Sequence, residues 1–373
     1  MKISILLPYK ENFSLDKAGA VSLYVKDISS KSKYRKSIKI YGDTFSKKKL
    51  LKNFIHLSTK GKVFLSKTNA YIDEFLKHES KINSDIIEIH NRPTYINSIR
   101  KITNSKIVIY FHNDPLSMKG SSTTKERYKL IENTDKIVFN SNWCKERFLD
   151  NLNLNNNYEN LLVIEQSTSH TKIDFDKKKK IISFIGKLNS SKGYDAFGTA
   201  IINILNKYSD WKSIVIGDEP REKHIFKHAR LKLYGFKSNK FILNKLKYTS
   251  ISVVPSRWDE PFGRSSLEAS SRGCALIISN KGGLTETTKD ALIINDVNEK
   301  HIYNSIKRLI DNKKLRKDLQ RKTYKNFYLT NEYIANKIDI VRNGLILNNK
   351  NNSSTDIKNL KILHITNLNE RFD

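Results

Sequence analysis

Residues Glu260 to Glu268, EPFGRSSLE, set two carboxylates eight positions apart around a Pro-Phe-Gly turn, directly after the apolar run SISVVPS (Ser250–Ser256) and Arg257-Trp258-Asp259. A strand–loop–helix corner of this kind has definite chemical capacity. Pro261 and Gly263 permit a tight turn, and Ser265–Ala269 can open a helix. The first N–H groups of a helix lack intrahelical partners and carry the positive end of its dipole, which suits a phosphate. Glu268, one turn in, can accept hydrogen bonds from a ribose diol, and Glu260, at the start of the loop, can hold sugar hydroxyls. Two surface glutamates around an ordinary turn would show the same spacing.

Four further segments carry polar chemistry at the ends of apolar runs. In FIGKLNSSKGYD (Phe184–Asp195), a glycine ends the run and Lys187 and Lys192 follow. Lysines in a loop that opens a helix suit a diphosphate, although lysine is abundant all along this chain. In GGLTE (Gly282–Glu286), the paired glycines Gly282 and Gly283 allow close approach of backbone to a ligand, or a plain turn. YFHNDP (Tyr110–Pro115) ends with His112 and Asp114, and IEIHNRP (Ile87–Pro93) with His90, Asn91 and Arg92. A strand-end histidine can donate to a sugar hydroxyl or stand beside a charged intermediate; a lone one is more often structural.

The elements that must position these groups alternate. KISILLP (Lys2–Pro8), DIIEIH (Asp85–His90), KIVIYFH (Lys106–His112), KIVFNS (Lys136–Ser141) and LLVIEQ (Leu161–Gln166) are predicted buried parallel strands, short and rich in β-branched residues. Helical stretches are expected between them, including Leu15–Ser29 and Trp143–Asn151. A polar, basic stretch, Ser167–Lys180, reads as a linker. The pattern restarts with KIISFIG (Lys180–Gly186), SIVIGD (Ser213–Asp218), LKLYGF (Leu231–Phe236), SISVVPS, CALIIS (Cys274–Ser279) and ALIIND (Ala291–Asp296). Such alternation twice over predicts two doubly wound α/β domains. Their ligands sit at the carboxyl ends of the strands, here in a cleft between the domains. The chain should remain helical from Glu299 to about Asn343. Lys361–Ile365 echoes the first strand, either as an edge element or as the start of a further domain.

Length and composition are consistent with this. At 373 residues the chain is long for one core and comfortable for two. Its 17 Tyr, 17 Phe and 3 Trp supply core material and exclude disorder throughout. The net charge is +30, from 68 Lys+Arg against 38 Asp+Glu, with the lysines spread over the whole length. Drift in an A+T-rich coding sequence accounts for most of that, while the field would still favour a phosphate-bearing ligand or an anionic membrane surface. Cys144 and Cys274 form no disulfide framework. The apolar stretch Ile3–Leu7 is too short for a signal-peptide core and no run approaches a membrane span. The expectation is a cytoplasmic protein, with peripheral placement at the inner membrane face as its membrane-related variant.

Taken in order, these groups resemble the family 4 retaining glycosyltransferases of the GT-B fold. The elements are a strand-end histidine, then G-K/R-L-x-x-x-K-G, then P-S-x-x-x-E-P-F-G-x-x-x-x-E, then G-G-x-x-E. SNWCKERF (Ser141–Phe148) also matches this family, and the likeness covers residues 1 to about 340. The resemblance implies two Rossmann-like domains: 1–168 on the acceptor side, a linker over 169–180, and 181–330 on the donor side. A helix and tail over 331–373 would cross back to the first domain. It implies catalytic roles for His112, Glu260 and Lys192. Donor-binding roles fall to Gly19, Lys187, Lys192, Phe262, Gly263, Arg264, Glu268, Gly282 and Gly283, with backbone N–H groups of Phe262, Gly263 and Arg264 on the diphosphate. The substrates would be a nucleotide-diphosphate sugar and a sugar or lipid-linked acceptor, with no cofactor, no metal and no specific nucleic acid. Envelope polysaccharide or lipopolysaccharide assembly is the family's habit. This sequence departs from the pattern at Ala18-Gly19, where two glycines are usual, at Lys187, which often is arginine and cannot fork onto two oxygens, and at VIEQSTSH, which lacks the usual Asn-Gly.

Other motifs point elsewhere and weaken on inspection. DFD (Asp174–Asp176) matches the metal-binding Asp-x-Asp of another transferase fold, but lies in the basic linker. HIFKH (His224–His228) has zinc-like spacing on a presumed surface helix, without a third ligand. No G-x-G-x-x-G and no Walker sequence follows any strand. The rival functions are a GT-B nucleotide-sugar epimerase, a basic nucleic-acid-binding protein, whose binding would be steeply salt-dependent, and a non-catalytic homologue.

Overall fold

A computed structural model describes residues 1–59, 66–153, 159–222 and 224–351, with side chains through Leu347. The β-branched runs become central strands because both sheet faces are covered, which removes any need for polar alternation. The first sheet comprises β1 (Ile3–Leu6), β2 (Ile38–Gly42), β3 (Phe54–His56), β4 (Ile86–His90), β5 (Lys106–Phe111), β6 (Lys136–Phe139) and β7 (Leu161–Val163). Their order is β3-β2-β1-β4-β5-β6-β7, with every pairing parallel. The second comprises β8 (Lys179–Ile185), β9 (Lys212–Ile216), β10 (Leu231–Leu233), β11 (Thr249–Val254), β12 (Ala275–Ser279) and β13 (Ala291–Ile294). Its parallel order is β10-β9-β8-β11-β12-β13. The two α/β domains thus each reverse strand order once, at β1/β4 and at β8/β11, where a crevice opens at the carboxyl ends.

Helices α1 (Ala20–Lys31), α2 (Lys67–Ile82), α3 (Ile96–Arg100), α4 (Thr124–Asn133) and α5 (Asn142–Leu149) flank the first sheet. The second carries α6 (Tyr194–Lys207), α7 (Asn239–Tyr248), α8 (Arg264–Ser270), α9 (Glu299–Asp311) and α10 (Lys313–Lys325), followed by α11 (Asn331–Asn351). Alternate residues of one strand feed different cores. Ile3 and Ile5 face one layer with Val108 and Tyr110, whereas Leu6 joins Ile87, Ile89, Ile107 and Ile109 in the other.

The last helix does not stay with the domain that precedes it: α11 packs on α1. Arg342, fully buried, donates from Nε and Nη2 to both carboxylate oxygens of Glu88 in β4, each at 2.7 Å. Its Nη1 reaches Asp339 at 2.9 Å and Ser32 at 3.1 Å. Asp339 in turn accepts from Ser32 Oγ and from Lys33 N, both at 2.7 Å.

Several expectations change. The helix expected from Leu15 begins at Ala20, because Ser14 bridges Lys49 and Leu15 N donates to Lys48 O at 3.0 Å. Strands β2 and β3 were not foreseen. HIFKH is not helical: it lies between β9 and β10, and Phe226 covers the face of α6 that Gly198 leaves open. Within the basic linker, Lys178 is not solvated. Its ammonium donates to the carbonyls of Leu246, Thr249 and Arg272 at 3.0, 2.8 and 2.7 Å, and burial pushes its pKa down. Asp174 accepts from Asp176 N, closing a short turn. The expected strand at Lys361–Ile365 lies outside the described residues. No described helix is long and apolar enough to cross a membrane.

Candidate functional site

The strand ends meet at a cavity of about 430 Å³ walled by both domains. The first domain contributes Ala20 at the start of α1, His112 and Asp114 after β5, Asn140 after β6 and Gln166 after β7. The second contributes Gly186 after β8, Lys192 before α6, and the run from Val254 to Ser265, except Arg257 and Asp259.

Local sequence explains how the two charged residues come together. Asn189 caps the turn before α6 by accepting from Lys192 N at 3.0 Å. Gly193 then takes φ +70°, and a Cβ there would lie 2.0 Å from Pro255 O, so the lysine loop lies against the end of β11. The N–H groups of Arg257 and Trp258 donate to Ser191 O at 2.9 and 3.0 Å, tying the two loops. Lys192 Nζ consequently reaches Glu260 Oε1 at 2.5 Å, with both side chains largely buried.

Gly282 and Gly283 lie beneath this loop and do not line the cavity. Gly282 pairs with Glu260 as a parallel bridge, and Gly283 N donates to Glu260 O at 2.7 Å. A Cβ on Gly282 would sit 2.4 Å from Glu260 O, and one on Gly283 2.5 Å from Pro261 O. Their smallness therefore fixes where the Glu260 carboxylate stands. Glu286 of the same motif crosses to the first domain. It accepts from Asn142 N and Trp143 N at 2.8 and 2.9 Å, capping α5, while Ser141 Oγ donates to Pro261 O at 2.5 Å.

Glu268 is buried beside the cavity and does not form its wall. Its Oε1 accepts from Arg264 Nε at 2.8 Å and Asn239 Nδ2 at 2.7 Å, and Oε2 has no partner among the described residues. Burial raises its pKa against the opposing pull of Arg264. Arg264 lines the cavity and ties the domains, with Nη2 3.2 Å from Asp27 Oδ2 of α1. Its Nη1 is buried with no hydrogen-bond partner among the described residues. A cavity-lining guanidinium with one donor left unpaired is a strong point of attachment for an anionic oxygen.

His112 contacts the cavity as a neutral ring. Burial first, and the Arg264 charge second, depress its pKa to about 3. Its Nε2 shares a proton with His90 Nδ1 at 2.9 Å, and the edge of Tyr24 packs on it. His90 is likewise held well below its ordinary value by burial. His112 Nδ1 has no hydrogen-bond partner among the described residues.

The remaining expected residues are scattered. Phe262 is buried in the first domain's core cluster and also touches the cavity, as does Gly263 at φ +114°. Gly19 precedes α1 and is packed against Glu11, whose Oε1 accepts from Ser22 N at 3.0 Å. Lys187 is exposed and outside the cavity wall. Sequence reasoning missed the Asp27–Arg264–Glu268 chain, Asn239, and the Ser141/Glu286 clasp. Asp27 and Asn239 stand in no motif. Glu286 and Ser141 stood in motifs already singled out, yet nothing in either motif says that they meet.

Comparison with known proteins agrees with this architecture. Residues 165–326 match the family described as Glycosyl transferases group 1. Over 362 residues the chain is 24% identical to the Bacillus subtilis (strain 168) protein named "Putative glycosyltransferase YtcC", covering 87% of this chain and 86% of that one. A stretch of 112 residues, 28% of each chain, is 32% identical to the 2-deoxystreptamine N-acetyl-D-glucosaminyltransferase of Niallia circulans. Among solved structures, sucrose-phosphate synthase from Thermosynechococcus elongatus superposes with a TM-score of 0.74 at 15% identity, over 93% of this chain and 100% of that one. Anabaena Alr3699/HepE in complex with UDP-glucose gives 0.72 at 14% identity, over 92% and 100%. The fold is thus GT-B, two Rossmann-like domains facing across a cleft.

Proposed function

We propose that this chain is a retaining glycosyltransferase that moves a sugar from a nucleotide-diphosphate donor to an acceptor hydroxyl, without a metal. The group 1 match over 165–326 supports transferase chemistry, and HepE is similar in fold and carries UDP-glucose in its structure. The observation that carries the reading is the Lys192–Glu260 pair on the wall of a cavity that also holds Arg264 and a neutral His112. A diphosphate needs positive groups set in advance around its departing oxygens, since preset charge lowers a barrier that mobile water cannot. Lys192 and Arg264 provide them, together with the N–H groups of the first turn of α8. The diphosphate would compete with Glu260 for Lys192, releasing the Glu260 carboxylate to accept from the donor sugar's hydroxyls. His112, uncharged, would stand near the reacting carbon without repelling its positive charge. Attack from the face the nucleotide leaves would retain configuration, with a phosphate oxygen taking the acceptor's proton. Glu268, through Oε2, is the assigned acceptor for the ribose. Lys187, exposed, would reach the diphosphate only from the rim. A cytoplasmic role in envelope polysaccharide or lipopolysaccharide assembly, at a membrane face for a lipid-linked acceptor, is the biological setting proposed with this chemistry.

The test is a thermal-shift screen of UDP-, GDP-, ADP- and CMP-sugars with EDTA present, followed by turnover. One nucleotide-diphosphate sugar should stabilise the protein. Lys192→Ala should stay folded and lose roughly 10²–10³ in kcat, the loss seen when one preset donor is removed. Wild-type turnover in that variant would remove the assignment.

A further inference from the structure

Beyond the cavity, at its outer mouth, lies a second chamber of about 200 Å³ lined by Asp114, Trp143, Arg147, Trp258 and Asp259. It shares Asp114 and Trp258 with the inner cavity, so the two are adjacent. Its walls come from both domains. Trp143 lies in the first turn of α5, with its backbone N–H held by Glu286 of the second domain at 2.9 Å. Trp258 follows β11 and leaves 53% of its surface exposed. A large aromatic so exposed, in the wall of a chamber that Trp143 also lines, lacks a packing explanation.

The charges narrow the choice of ligand. Arg147 is already engaged by Asp114, through Nε at 3.3 Å and Nη2 at 3.1 Å, and lies over the Trp143 ring. Asp259 is exposed and accepts no hydrogen bond among the described residues. In a chain of net charge +30, this mouth carries two carboxylates against one occupied guanidinium. It suits a ligand with an apolar face for the indoles and hydroxyl or ammonium donors for the carboxylates, and it disfavours phosphate or uronate. A pyranose ring has that shape: axial C–H bonds on one face and donors around its edge.

We propose that this outer chamber is the docking subsite for a neutral or amino-substituted pyranose acceptor, stacked on the exposed Trp258, flanked by Trp143 and hydrogen-bonded to Asp259. The proposal rests on the transferase reading above and names the substrate class of its second site. Because the indoles belong to different domains, the subsite is complete only when the Glu286 clasp is closed.

The chain has three tryptophans, and the third, Trp211, is buried in the second domain's core away from this mouth, so a sugar-dependent change in emission reports on Trp143 and Trp258. The intact protein, with whichever of UDP, GDP or ADP stabilises it, is titrated with glucose, galactose, glucosamine, N-acetylglucosamine and glucuronate. A saturable emission change with at least one of the first four, and a weaker or no response to glucuronate, is expected. Trp143→Ala and Asp259→Asn should each weaken that sugar's binding by about tenfold, the scale of one lost aromatic platform or polar contact. Their affinity for the nucleotide should stay as in the wild type. No saturable change with any sugar up to about 50 mM, already weaker than the millimolar range, overturns the subsite, as does unchanged affinity in both variants. Intact nucleotide binding in that case leaves the donor reading standing, whereas no stabilisation by any nucleotide removes the donor reading and the subsite together.

Discussion

Gly283→Ala separates a glycine that touches the donor from one that positions the residue that does. The added Cβ would lie 2.5 Å from Pro261 O, 2.8 Å from Ser141 Oγ and 2.9 Å from Ser141 Cβ. It would therefore land on the hydrogen bond by which Ser141 joins the first domain to the Pro261 carbonyl. Close carbon–oxygen contacts settle at about 3.3 Å, so relief requires a displacement of roughly 0.8 Å. The atoms in the way are backbone and the serine that caps α5, accepting from Cys144 N at 3.0 Å, neither of which can swing aside. Glu260 moves with them, because Gly283 N holds Glu260 O. A misplacement near 1 Å costs about 10²-fold in rate, while overpacking costs only about 1–3 kcal/mol of stability. The expected result is a kcat/KM for donor turnover down about 100-fold, with Tm lower by roughly 2–10 °C. Gly344→Ala is the control, since nothing lies within 4 Å of its added Cβ and alanine favours a helix. It should be neutral or slightly stabilising in both measurements. Wild-type turnover in Gly283→Ala would refute the account of the loop.

Removing one partner of the buried α11 cluster should be severe. Arg342→Met leaves Glu88 and Asp339 buried without their guanidinium and should cost about 3–5 kcal/mol in denaturant unfolding. Adding Glu88→Met should recover part of that loss, and a loss no larger in the single variant than in the double would contradict the pairing. Acid should expose the histidine pair. His112, at about 3 in the folded protein, stays neutral where the unfolded chain protonates near 6.5. The unfolded state therefore binds the extra proton below that value. The stability His112 contributes is full above about pH 6.5 and declines as pH falls toward 3, by up to about 1.4 kcal/mol per pH unit. His90, depressed in the same direction, steepens the decline. The His112→Gln variant should show a shallower acid limb in urea titrations at stepped pH; an identical slope would remove His112 as a contributor. Glu286→Gln should retain the fold and raise KM for both substrates several-fold, since it weakens a charge-assisted cap between domains worth about 1 kcal/mol. An unchanged KM would mean that the clasp does not govern closure.

Much of the scaffold is legible in the sequence, for a physical reason. A central parallel strand must be apolar on both faces, so KIVIYFH and SISVVPS announce themselves without context. β3 does not: Phe54–His56 is an edge strand of three residues, too short and too polar at its end to stand out. The corner EPFGRSSLE was legible because its turn residues and its chemistry coincide. What spacing could not give was which groups meet across the cleft. Arg264 was read only for its backbone N–H, whereas its side chain reaches Asp27, 237 positions away in sequence, as well as Glu268. The buried ammonium of Lys178 was equally opaque, since in sequence it is one of four consecutive lysines and only the carbonyls converging on it distinguish it.

The Arg342–Glu88 pair also bears on how the protein is made. Partners 254 positions apart leave the ribosome at different times, by roughly 13–50 s at ordinary elongation rates. During that interval the first sheet has an acidic residue in its central strand and no guanidinium to meet it. Until Arg342 has been made, the first domain lacks the buried partner that the Glu88 carboxylate has in the finished fold. Since Arg342 follows every strand of the second domain, the core of the first is completed only after the second has been synthesised.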